Sequence, residues 1–530
     1  MDGKRPTIAS LHGMVAAAHP LAAQAGAKLL ATGGNAFDAA AATAAALSVV
    51  EPSVSGLAGI GMATCYVAAA KRVRTLDFAT RVPAEFPAGR FSRREELYRG
   101  PLACGPPGCL AGWCELVTTH GRKRLHDIFA PAIALARDGH MLIDDPGARM
   151  REAVQALQDL PYFEDWRSAY LGQTAGAPGP GTVMRQPNLA RTLEIIADEG
   201  PDHFYRGVLG RKIIAHVQEL GGCLTLQDMA AVSPVWLDPL VADYRGLQVH
   251  TPPPPGEGFQ FLLTLRVLDG FDLPAMPPDG ADQLDTVWRA IRLIAGLRIG
   301  QNRPGPAALA RILSDPLVEA MRARVRDPRP LHIPADPGAE PVPACEHATS
   351  FSVVDRDGNA VCVTQSLGGP FGCGVVVPGT GICLNNVLSW GEVDTSGPNP
   401  LVPGADLVLP LAPSITTQAG RPVVLLGAPG RYGSSQTQLQ TLVQHLDVGL
   451  PIQDAIEAPR ARLSDGRRVQ AEGRILASTL ETLRGRGHDV EVAPDWSILV
   501  GGTQGIAIDP QTGVASGGAD PRREGYVAIP

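Results

Sequence analysis

A chain of 530 residues that is 45% hydrophobic and 19% charged can bury a large core, which excludes a disordered chain and leaves two domains or one large composite domain. A net charge of -7 and a pI near 6.0, with no run of Lys or Arg, argue against nucleic acid or an anionic membrane as partner. The 60 glycines and 48 prolines call for many turns, and an aromatic content of 5% leaves small residues to fill the core.

No apolar stretch follows Met1-Asp2-Gly3-Lys4-Arg5-Pro6, so no secretory signal is evident and a cytoplasmic address is expected. Residues 14–50 read as alanine-rich helices, with Gly33-Gly34 ending one and Asn35 capping the next. The most apolar part, 36–50, contains Asp38 and is too short to span a bilayer. The glycine-rich loop 55–61 precedes a strand at 62–68. It lacks the Gly-x-x-x-x-Gly-Lys pattern of a phosphate cradle, so close backbone packing is the better reading. Helical patterns follow at 129–137 and 189–199. A strand at 247–250 runs into the rigid turn 252–256, and further helices are expected at 258–269 and 281–299.

The Pro-rich stretch 327–345 reads as an exposed linker. It ends in Glu346-His347-Ala348-Thr349-Ser350, where the texture changes. Strands at 351–354 and 361–365 are joined by Asp357-Gly358, a tight-hairpin signature. More strands are expected at 381–384, 413–417, 422–426, 490–492 and 505–508, with helices at 435–447 and 451–458. Helices mixed with antiparallel strands, without strict βαβ alternation, give an α+β layered sandwich with no internal repeat. The nine cysteines form no CxxC pair with zinc spacing, so they read as small buried hydrophobes in a reducing compartment.

Read together, several short motifs resemble the γ-glutamyltranspeptidases, a family of N-terminal-nucleophile (Ntn) hydrolases. They are His19-Pro20-Leu21-Ala22, the run 31–40, Val50-Glu51-Pro52, the loop at Ser55, the run 130–133, the run 204–207, Leu384-Asn385-Asn386, the run 427–430, the run 457–460 and Asp520-Pro521-Arg522. Each is unspecific alone; their joint occurrence in this order over nearly the whole chain is not. The resemblance implies a four-layer αββα sandwich with two stacked antiparallel sheets. It also implies a precursor that cuts itself after His347, giving a large region, 1–347, and a small region, 348–530, within one composite domain.

In the family the small subunit begins with a threonine whose hydroxyl is the nucleophile and whose free amine is the base. Here that position is Ala348, which has no oxygen. Three readings stand. Ala348 is an engineered replacement that traps the precursor; the natural protein carries it and is a non-catalytic ligand-binding relative; or Thr349 is the nucleophile, against the alternation of side chains along a strand. By the same resemblance Ser366 is the hydroxyl that bonds the nucleophile, and Gly430 with Arg431 supplies the oxyanion-hole amides.

The expected substrate anchors depart from the family. Ala79 stands for the arginine after Asp77-Phe78, with Arg81 nearest. Trp390 stands for the acidic residue after Asn385-Asn386, Leu409-Pro410 for a serine pair, and Gly368 for an asparagine. An unpaired zwitterionic head would cost several kcal/mol against such a wall. The expected activity is therefore hydrolysis of an amide or C–C bond in a small, non-glutamyl substrate of specialised metabolism, such as antibiotic biosynthesis. Trp390 would stack on a ring, and Arg81 or Arg431 would take a carboxylate. A conventional γ-glutamyl hydrolase with rearranged anchors is the alternative. The chemistry needs no metal or cofactor; the expected assembly is a large/small heterodimer after processing, with higher homo-oligomers open.

Overall fold

The computed structural model describes residues 5–172, 178–300, 304–331, 348–430, 433–464 and 467–530; His347, Arg431 and most of the Pro-rich linker lie outside the described residues. Fourteen strands build two central sheets: Ile8–Ser10 (β1), Gly13–Ala17 (β2), Ile60–Val67 (β3), Arg72–Phe78 (β4), Val235–Leu237 (β5), Leu240–Tyr244 (β6), Leu247–Thr251 (β7), Thr349–Asp355 (β8), Ala360–Ser366 (β9), Ser414–Gln418 (β10), Arg421–Gly427 (β11), Gln504–Ile508 (β12), Ala515–Ala519 (β13) and Tyr526–Ala528 (β14). One sheet runs β1-β13-β12-β11-β10-β7-β6 and the other β14-β2-β8-β9-β3-β4-β5, with every neighbouring pair antiparallel. Each sheet mixes strands from both sides of the linker.

The sheets face each other across Met14, Ala16, Val354, Cys362, Ile415, Leu425 and Ile506. The outer face of the β8 sheet packs on helices Pro20–Ala31 (α1), Ala36–Val50 (α2), Cys109–His120 (α3) and Leu125–Asp138 (α4). The other sheet is covered by helices Gly258–Leu268, Ala281–Gly300 and Ser434–Leu446. This is the four-layer αββα order that the resemblance implies.

Alanine suits the helix pair α1/α2, because short side chains let backbones approach. At Gly26 no methyl group would fit against Thr43 and the Ala39 carbonyl. Helix α2 starts with a capping box: Asn35 Oδ1 accepts from the amides of Phe37 and Asp38, and the Asp38 carboxylate accepts from the Asn35 amide at 2.9 Å.

Two local expectations need correction. Residues 14–17 are strand β2 and not helix, because this strand is buried on both faces and shows no alternation. The β8/β9 hairpin turns around Gly358 (φ +86°), while the Asp355 carboxylate takes the Asp357 and Asn359 amides; Asp357 is not left-handed, so this is not the two-residue turn that Asp-Gly suggests. The glycines at 59 and 61 serve close packing, as expected: a Cβ on Gly59 would meet the Ser366 carbonyl at 2.6 Å. The eight described cysteines are buried and unpaired.

Candidate active site

The pleat of β8 sorts its residues onto two faces. Thr349, Phe351 and Val353 point to the helical layer: Phe351 and Val353 join the apolar cluster of α1 and α2, and Thr349 Oγ1 donates to Glu51 Oε2 at 2.7 Å. Ser350, Ser352 and Val354 point between the sheets: Ser352 Oγ donates to the Gln504 carbonyl at 3.3 Å, and Ser350 packs on Gly427, where any Cβ would collide with its hydroxyl. Position 348 immediately precedes the strand and, by the same alternation, belongs to the inter-sheet face. The β8/β9 register pairs Thr349 with Gln365 and Ser350 with Thr364; one step further it sets Ala348 across from Ser366. Ala348 is 4% exposed.

Ser366 ends β9, fully buried, and its Oγ accepts from the Gly368 amide at 2.8 Å. Gly368 has φ +100°, and a side chain there would strike Asn386 Oδ1, so glycine is required in this turn. Asn386 takes the Gly369 amide on Oδ1 at 2.5 Å and donates to the Tyr98 carbonyl at 2.9 Å. Asn385 Nδ2 donates to the carbonyls of Ala58 and Gly105, both at 2.8 Å. The Asn pair thus ties three loops together behind Ser366. Gly430 (φ +134°) lies in the loop after β11, whose last residue Gly427 packs on Ser350. Its carbonyl accepts from the Gly433 amide at 2.8 Å and from Arg462 Nη2 at 3.4 Å.

The substrate-side positions divide into two groups. Ser366 pairs with Ile60, and the β3/β4 register continued by one step brings Ala79 into the same row as Ala348. The Ala79 amide donates to Asp77 Oδ1 at 2.8 Å, and burial pushes the Asp77 carboxyl up to about 6 against that bond. Trp390 closes the 3-10 turn Val387–Trp390 and sits in one buried apolar cluster with Val387, Leu388, Leu401, Leu407 and Leu409. Leu409 bonds backbone to backbone with Pro255, and the Pro410 carbonyl accepts from Ser434 Oγ at 3.2 Å. Arg81 is 66% exposed and its Nε lies 2.7 Å from Asp406 Oδ1, so the guanidinium already holds a carboxylate at the surface.

Two residues to which the sequence assigned no role complete the site. Glu51 is the C-cap of α2, and its carboxyl is pushed up by burial while Arg523 and the Thr349 hydroxyl hold it down. Arg523 Nη1 donates to the Ala348 carbonyl at 2.7 Å. The motif at 50–52 contains Glu51 and the motif at 520–522 ends beside Arg523, but nothing in the sequence says that they meet at residue 348.

A family model described as gamma-glutamyltranspeptidase matches residues 22–529. The glutathione hydrolase-like YwrD proenzyme of Bacillus subtilis (strain 168) is 32% identical over 531 residues, covering 97% of each chain. The acylase ACY 1 proenzyme of Pseudomonas sp. (strain SE83) is 30% identical over 548 residues, covering 98% of this chain and 94% of its own. Among solved structures, the cephalosporin acylase from Bacillus halodurans superposes with a TM-score of 0.91 at 30% identity, over 100% of this chain and 98% of that one.

Proposed function

The chain belongs to the γ-glutamyltranspeptidase family of Ntn hydrolases, and we propose that it is an amide hydrolase of the acylase kind, held as an uncut precursor by the methyl group at position 348. The observation that carries this reading is the division of β8. Continued by one step, the strand register sets position 348 on the inter-sheet face opposite Ser366, whereas the hydroxyl of the adjacent Thr349 is spent on Glu51 in the helical layer.

With a hydroxyl at 348, its oxygen adds to the carbonyl carbon of residue 347 and the peptide nitrogen leaves as a free amine, giving an ester. Water then splits that ester, restoring the hydroxyl and leaving a carboxylate on 347. In turnover the freed amine takes the hydroxyl proton, the oxygen adds to the substrate carbonyl, and the amine then passes that proton to the substrate nitrogen as the amide C–N bond breaks, leaving an ester on residue 348. A water hydrolyses the acyl-enzyme in the second half. The Gly430 loop would meet the oxyanion with a backbone amide.

The acyl group in this reading carries no zwitterionic head. Ala79, Gly368, Trp390 and Leu409-Pro410 offer no charge to one, Gly368 cannot carry a side chain where it stands, and Arg81 is engaged by Asp406. Arg431 remains the candidate guanidinium for a lone carboxylate elsewhere on the substrate.

Ala348→Thr tests both halves. On a denaturing gel the single band is expected to become two, with the smaller fragment beginning at residue 348. The processed protein is expected to hydrolyse anilides of apolar acids at least about tenfold faster than the γ-glutamyl anilide, the ratio that roughly 1.4 kcal/mol of differential binding gives. An intact Ala348→Thr chain, or a preference for γ-glutamyl anilide, sinks the proposal. Cleavage of the unsubstituted chain would instead make Thr349 the nucleophile.

A further inference from the structure

Arg523 is placed with unusual care for a residue near the end of the chain. The 3-10 turn Pro521–Arg523 is capped by Asp520 and locked by its neighbour: Arg522 Nε and Nη2 each lie 2.7 Å from a Glu472 oxygen, and Arg460 pairs with Asp520 at 2.5 Å, all four side chains buried. That ion cluster fixes the turn, and Arg523 leaves it toward residue 348. Gly502 makes way, since a Cβ there would meet Arg523 Cδ at 2.5 Å.

Arg523 is 1% exposed. Nη1 donates to the Ala348 carbonyl at 2.7 Å, Nη2 lies 3.9 Å from Glu51 Oε1, and Nε has no hydrogen-bond partner among the described residues. The other Glu51 oxygen takes the Thr349 hydroxyl at 2.7 Å. A ring of contacts therefore runs from the carbonyl of 348 through Arg523 and Glu51 to the side chain of 349. A buried cation is costly, and packing alone would not select it beside this carbonyl.

We propose that Arg523 and Glu51 are positioning residues that clamp the 348–349 peptide and thereby orient the side chain and nitrogen of residue 348 toward Ser366. Held at its carbonyl and at the next side chain, this peptide plane cannot swing, so the ψ angle of 348 is fixed. The charge has a second effect after cleavage. A guanidinium bonded to the carbonyl of residue 348 disfavours an ammonium on the same residue, which keeps the new amine neutral and basic at lower pH.

The functional half of this inference rests on the proposed nucleophile position, and the structural half does not, so the test has two arms. In the chain as it stands, hydrogen exchange is followed on the peptide 348–355. Arg523→Gln and Glu51→Ala are expected to speed exchange at its first amides at least about tenfold while protection elsewhere in the sheets is kept, and Arg523→Lys to stay slow. In the Ala348→Thr background, Arg523→Gln is expected to slow self-cleavage at least about tenfold. In whatever is processed it should lower kcat with little change in KM and move the acid limb of kcat/KM to higher pH. Arg523→Lys, which keeps the charge, should leave that limb in place. Unchanged exchange at 348–355 in Arg523→Gln, or cleavage at the parent rate with the same acid limb, overturns the clamp. If Ala348→Thr itself stays whole, the proposed function falls and the exchange arm alone decides the clamp.

Discussion

A methyl group at position 348 and a hydroxyl at 349 are neighbours in sequence and strangers in space, because one step along a strand reverses the side chain. The Thr349 hydroxyl lies against Glu51, a carboxyl that burial already pushes upward. Removing the donor leaves a buried acceptor short of a partner, which costs about 1–3 kcal/mol. Thr349→Val should therefore lower unfolding free energy by that amount in urea titration. In the Ala348→Thr background it should still permit cleavage, because the hydroxyl at 349 is structural. A double variant that folds yet never cuts would transfer the chemistry to Thr349.

At the scale of elements, α2 and β8 are pinned to each other at both ends. The Ala36 amide donates to Asp355 Oδ2 at 2.9 Å, and Glu51, after the last turn of α2, takes the Thr349 hydroxyl. From residue 36 to 51 a helix rises about 22 Å, and from 349 to 355 a strand advances about 20 Å, so the two elements match in length and the helix works as a ruler behind the nucleophile strand. Asp38 sets its near end, accepting from the amides of Asn35, Arg122 and Lys123 at 2.9–3.1 Å. Asp38→Ala strands these three donors, of which the Asn35 amide is buried, and should cost about 1–3 kcal/mol, with Asp38→Asn costing less; chemical denaturation of the pair checks the order.

The cap of α2 was legible because Asn35 signals locally, and the face of Thr349 was legible because the pleat has a period of two. Strand β2 was not, since Met14-Val15-Ala16-Ala17 is buried on both sides and carries no period. The roles of Glu51 and Arg523 escaped for a different reason. Their bonds to the nucleophile strand span 298 and 175 residues, and a contact that long leaves no trace in spacing.

For the whole molecule, acid response is set by buried histidines and carboxyls that pull in opposite directions. Burial, then the nearby His140, lowers His19 to about 3, and burial lowers His250 to about 4. The reason at His19 is visible: its Nδ1 accepts from the Leu21 amide at the head of α1, so the ring must be neutral there. An unfolded chain protonates both rings near 6.5. As pH falls below that value the unfolded state binds more protons than the fold, and stability declines by up to about 1.4 kcal/mol per pH unit for each ring. Asp77, raised to about 6, and Glu51, also raised, act the other way: the fold takes up their protons first, so each offsets part of the decline as pH drops through the raised values. Asp520, held low by Arg460 and Arg522 against its burial, stays ionised throughout and loses its contribution only below the ordinary carboxylate range. His19→Asn keeps an N-cap acceptor and cannot titrate, so it should flatten the loss of stability between pH 6.5 and 4 by up to about 3 kcal/mol, while Asp77→Asn should steepen it. Melting curves across that range read both slopes. Equal slopes in His19→Asn and the parent would mean that the ring is protonated in the fold, which the bond from the Leu21 amide does not permit.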